Sequence, residues 1–131
     1  MKVKKSKRGE DLPHLVPLSA RAIEILETLK AYTGNREYVF ASPTKPRQPI
    51  SGNTILQALK RMGYGGKMTG HGFRHLASTI LNEQGFGADV IEKQLAHTDS
   101  SVRGVYNKAQ YIAERIKMMK SWAILINRFK G

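Results

Sequence analysis

Phe73, Leu76, Ala77, Ile80 and Leu81 recur at three- and four-residue intervals, a spacing that specifies an amphipathic helix with one apolar stripe. The same geometry turns His71, Arg74, His75 and Ser78 to the other side. His71 and Arg74 stand three residues apart at the start of this helix. They share one face within a turn, where both reach a single anion and backbone N–H groups add to the attraction. An isolated His-x-x-Arg is usually only a solvated polar face. Here Leu95-Ala96-His97 follows, and Tyr106 comes nine residues after that histidine.

The remaining segments read as support for these four side chains. Residues 1–18 are expected to form a basic hairpin, with Lys2, Lys4, Lys5, Lys7 and Arg8 first, turn chemistry at Gly9-Glu10-Asp11, and Leu15-Val-Pro-Leu returning. Ser19 is a plausible N-cap, and Ala22, Ile25, Leu26 and Leu29 give the following helix its core face before a stop at Gly34. A short apolar stretch at 37–40 leads into a proline-rich loop at 42–49 bearing Lys45 and Arg47. Ser51 then begins a helix with Ile55, Leu59 and Met62 inward and Lys60 and Arg61 outward.

Residues 63–72 hold five glycines and Lys67. A phosphate-binding Walker loop ending at Gly66-Lys67 fails, because Arg61 stands where Gly is needed and Met68 where Ser or Thr is needed. The segment is a connection delivering His71. After the His71 helix, Gly85-Phe86-Gly87 breaks the chain, and Ala88, Ile91 and Leu95 mark a short helix ending near His97. Val102 and Val105 anchor the stretch carrying Tyr106. A last helix over 110–130 places Ile112, Ile116, Met119, Ala123 and Ile126 on one stripe. Its 122–126 stretch is apolar nearly all round, a surplus suited to docking on another protomer or on other parts of the protein. The fold class expected is mainly α with a small N-terminal β-hairpin or sheet, an α+β arrangement.

The 131 residues suit one domain with a single core. There are no cysteines, so neither disulfides nor a thiolate metal site is in play and a reducing cytoplasm is the easier setting. No apolar run of about 18 residues occurs, and the basic N-terminus is not followed by the apolar stretch of a signal peptide. The net charge of +12, from 22 basic and 10 acidic residues, points to a polyanion, and nucleic acid comes first. An anionic membrane fits less well, because the basic residues are spread over loops and several helices instead of lining one amphipathic segment.

The ordered set His71-x-x-Arg74, Leu95-x-His97 and Tyr106 resembles the catalytic domain of the tyrosine recombinases, the phage integrase family. The branch it resembles is that of prophage and genomic-island integrases. Leu15-Val-Pro-Leu-Ser19, Glu37-Tyr-Val-Phe40, Leu81-Asn-Glu-Gln-Gly85, Tyr106-Asn-Lys-Ala109 and Met118-Met119 carry the likeness over nearly the whole chain. The resemblance implies the following. Residues 1–131 would be one DNA breaking and rejoining domain, without the upstream segment that bears the family's first catalytic arginine and without N-terminal DNA-binding domains. Arg21-x-x-Glu24 imitates that arginine box but falls after Val-Pro-Leu-Ser, on the wrong side of the hairpin. A hairpin lysine would be the general acid for the leaving 5′ oxygen: Lys2 by its Met-Lys context, with Lys5 and Lys7 still open because the segment up to Val16 is long.

A phosphodiester gathers charge in its transition state, and Arg74 offers paired donors in a fixed plane. His71 and His97 add hydrogen bonds and proton traffic near neutral pH. Tyr106 needs such neighbours, because a phenol has a free pKa of about 10. The resemblance supplies the cycle: tyrosine attack, a 3′-phosphotyrosyl link, release of a 5′ hydroxyl, and reversal by another strand. It implies paired double-stranded DNA sites and further protomers as partners, no nucleotide or metal cofactor, and a bacterial, nucleoid-associated setting. Two rivals belong to other classes. One is a DNA-binding module without catalysis, separated by a covalent-adduct assay. The other is a metal-dependent nuclease using His71, His75 and His97, weakened because Gly72 occupies the place where His-Glu-x-x-His needs Glu. A type IB topoisomerase shares the chemistry but not the detailed motifs.

Overall fold

The computed structural model of the chain describes residues 14–96 and 110–129. Five helices follow in order: α1 (Ala20–Thr33), α2 (Thr54–Arg61), α3 (Gly70–Glu83), α4 (Ala88–Gln94) and α5 (Ile112–Arg128). Local chemistry sets most of their ends. Ser19 caps α1, its Oγ accepting from the Ala22 N–H at 3.3 Å, and Thr69 caps α3, its Oγ1 accepting from the Gly72 N–H at 2.9 Å. Gly85, at φ +82, turns the chain out of α3, a backbone that costs L-residues with a Cβ. The expected helix at Ser51 begins three residues later, at Thr54.

Helix α4 packs between α3 and α5. The core lies there: Leu81, Ile91 and Met118 are buried, with Phe86, Val90, Leu95 and Trp122 packed around them. Each such side chain contributes about 1.5–3 kcal/mol on burial. The 42–49 loop is closed by an isolated antiparallel bridge between Ala41 and Pro49, backed by Ser42 N–H to Gln48 O and Ile50 N–H to Phe40 O, both 2.8 Å. Ala41 beneath it is buried, as is Leu59 of α2.

Three expectations are corrected. The small N-terminal β-hairpin or sheet is not formed: among the described residues there is no strand, and the fold is helical. The returning arm, residues 15–18, carries no strand pairing; Pro17 has no N–H to give a ladder, and the Leu15 carbonyl accepts from the Arg115 guanidinium instead. The lysine-bearing arm lies outside the described residues. In α3, Phe73 and Leu76 are 48% and 46% exposed, so only the C-terminal half of that stripe reaches the core. In α5 the buried line is Arg115 and Met118 with Trp122, while Ile116 and Ile126 are exposed, a rotation of about one residue from the stripe expected.

Candidate functional site

The start of α3 holds two of the candidate site residues, His71 and Arg74. Thr69, in extended backbone at φ −128, launches the helix so that His71 and Arg74 fall in its first two turns. A Cβ at Gly72 between them would sit 2.9 Å from Met68 Sδ, the movable end of a flexible side chain, and 3.4 Å from Thr69 Oγ1. His71 is exposed and Arg74 half-buried. His75, one turn on from His71, meets its ring edge to face, with centroids 4.5 Å apart and an interplanar angle of 88°. The two rings thereby brace each other beside Arg74. Such a start can offer a guanidinium and imidazole donors to an anion arriving from solvent.

Lys2, with its alternatives Lys5 and Lys7, and His97 and Tyr106 lie outside the described residues. The residues on either side of 97–109 are described. Helix α4 ends at Gln94, and Ala96, the residue before His97, takes a left-handed backbone at φ 51. On the far side Tyr111 is half-buried at the N-cap of α5, also left-handed at φ 49. The Arg21-Glu24 pair is a surface ion pair of 2.7 Å within α1, worth little to stability. No three His, Asp or Glu side chains come together in a metal-holding group among the described residues.

Sequence reasoning missed Arg115. It is wholly buried, and its guanidinium donates from Nε to Gln94 Oε1 at 2.8 Å, from Nη1 to Gln110 O at 3.1 Å, and from Nη2 to Leu15 O. Burial lowers its pKa from the usual arginine value, yet guanidinium stays charged. Nearby, the covered part of the His14 ring lowers its pKa, helped by Arg115 and Lys93 and opposed by a hydrogen bond with the Gln94 backbone. The available signal was position: Arg115 is four residues after Tyr111 and three before Met118, on the line those two share with Trp122. A groove of about 390 Å³, lined by Gln84, Phe86, Ser121, Ile124, Leu125 and Arg128, lies past the other end of α3. At the rise of a helix that is about 20 Å from His71.

No described helix is long and apolar enough to cross a membrane. Comparison with known proteins gives a consistent answer. The sequence profile of the phage integrase family matches residues 1–112. The prophage integrase IntA of Escherichia coli K12 is 50% identical over 114 residues, 86% of this chain and 28% of that protein. The integrase of Shigella phage Sf6 is 49% identical over 112 residues, covering 84% of this chain and 29% of its own length. The tyrosine recombinase XerA of Thermococcus kodakarensis is 28% identical over 113 residues, 84% of this chain and 39% of its own. The chain thus spans under a third of the two integrases. No solved structure gives a significant match. A family profile that matches most of the chain, with relatives about 50% identical beside it, shows that the chain belongs to the phage integrase family.

Proposed function

We propose that this chain is the DNA strand-exchange domain of a site-specific recombinase that integrates or excises a mobile element, with Tyr106 as nucleophile. The observation that supports the reading is the placement of His71 and Arg74 in the opening two turns of α3, His71 exposed and Arg74 half-buried two turns before the buried Leu81. The Tyr106 oxygen attacks the phosphorus of a DNA phosphodiester, and the bond to the 5′ oxygen breaks. Arg74 and His71 hold the nonbridging oxygens as charge gathers there. His97 takes up or shares the phenol proton, and Lys2, Lys5 or Lys7 returns one to the leaving 5′ oxygen. The 3′-phosphotyrosyl bond keeps the energy of the original linkage, so a 5′ hydroxyl from a second strand rejoins the DNA without a nucleotide. The partners are double-stranded DNA and other protomers in a synaptic complex.

The test is a nicked suicide substrate, incubated with the full gene product in EDTA. A covalent protein–DNA band supports a metal-independent strand transferase. Tight DNA binding without any band would make the protein a binding module, and a band or cleavage that vanishes with chelator would favour a metal-dependent nuclease.

A further inference from the structure

Arg115 is the largest fully buried side chain in the described structure, and its acceptors lie in three separate places. Gln94 ends α4, Gln110 precedes α5, and Leu15 precedes α1. Gln94 and Gln110 flank residues 97–109, the stretch that contains His97 and Tyr106. The backbone is left-handed at the same two edges: Ala96 and Tyr111 are the non-glycine residues with positive φ among those described. Each such conformation costs about 1–2 kcal/mol and persists where the surroundings over-determine it. A guanidinium is also a costly way to fill a core position, since an apolar side chain of similar volume avoids the desolvation. The fork does what an apolar side chain cannot: it fixes three chain segments by directed hydrogen bonds.

We propose that Arg115 is a positioning residue for strand cleavage, setting the separation of the two ends of the stretch that bears His97 and Tyr106 and tying both to the segment before α1. The inference rests on the reading of Tyr106 as nucleophile. A reacting group misplaced by about 1 Å can lose on the order of a hundredfold in rate. Lysine keeps the charge but loses the fork, so it cannot hold three acceptors in one plane.

The experiment uses the full gene product on the nicked suicide substrate at saturating DNA, with Arg115→Lys, Gln94→Ala, the double variant and Tyr106→Phe. Single-turnover adduct formation should fall about 10- to 100-fold in Arg115→Lys and less in Gln94→Ala, with the double variant no worse than Arg115→Lys because both changes break one linkage. DNA affinity should stay within about twofold, since Arg115 is wholly buried and out of reach of a bound duplex. Gln94→Ala, on a half-buried residue, keeps the test open if Arg115→Lys folds poorly. Parental cleavage rates in both variants, or losses matched by equal losses of DNA affinity and folded fraction, would overturn the positioning role. Adducts surviving in Tyr106→Phe would remove the underlying nucleophile reading instead.

Discussion

Arg74 is half-buried while His71 and His75 beside it are exposed and braced ring to ring. An arginine with part of its stem covered loses less conformational freedom when its fork makes a bidentate contact with a phosphate. Arg74→Ala should therefore reduce single-turnover adduct formation by about a hundred- to thousandfold, the cost of one preorganised donor to a transition-state oxygen. Arg74→Lys should recover little, because a point charge cannot reproduce the fork. Both are read from the initial rate of the covalent band, with DNA affinity measured alongside; an active Arg74→Lys would show that charge alone suffices. That His71 and Arg74 share the start of a helix was legible from spacing, since three-residue intervals on a helix put side chains on one face. Arg115 was not, because a charged residue is ordinarily assigned to solvent and only its three neutral acceptors, one of them 100 residues away, make its burial tolerable.

At the scale of elements, caps and turns decide where the helices begin and end. Ser19 and Gly85 could be read directly from the sequence, since a hydroxyl N-cap and a glycine exit act through their own backbone neighbours. The hairpin could not, because alternation and turn residues describe what an arm can do, while the Leu15 carbonyl is in fact taken by a side chain from α5. The α5 stripe slipped for a related reason: several apolar residues on that helix exceed what one core covers, so periodicity alone does not choose which face goes in. Gly85 gives a clean test of an element boundary. It has φ +82, and a methyl group added at its Cα would meet nothing within 4 Å, so Gly85→Ala tests backbone strain alone. After allowing for the stiffer unfolded chain, the variant should lose about 1 kcal/mol. Urea unfolding would show it as a lowered midpoint at unchanged slope, and an unchanged midpoint would mean that the turn relaxes.

For the whole molecule, charge and surface matter more than any single contact. Basic side chains of the described region, among them Lys45, Arg47, Lys60, Arg61 and Lys67, are exposed and available to a polyanion. If binding neutralises about six phosphates, log affinity should fall with log salt at a slope near −5, measured by titration on DNA of unrelated sequences. A flat response would contradict the argument from the +12 charge. Large apolar side chains are exposed as well, Phe73, Leu76 and Ile55 among them, more than their periodicity led one to expect. That excess was legible only in part, because periodicity marks a face as apolar without saying what covers it. The central claim is that the DNA becomes joined to Tyr106, and trypsin separates it from its rival: cutting after Arg103, Lys108 and Arg115 puts Tyr106 in the peptide 104–108 and Tyr111 in 109–115. The trapped adduct, trimmed of DNA by nuclease and digested, should carry its nucleotide remnant on 104–108 in mass spectrometry. A remnant on 109–115, with 104–108 unmodified, would contradict the account.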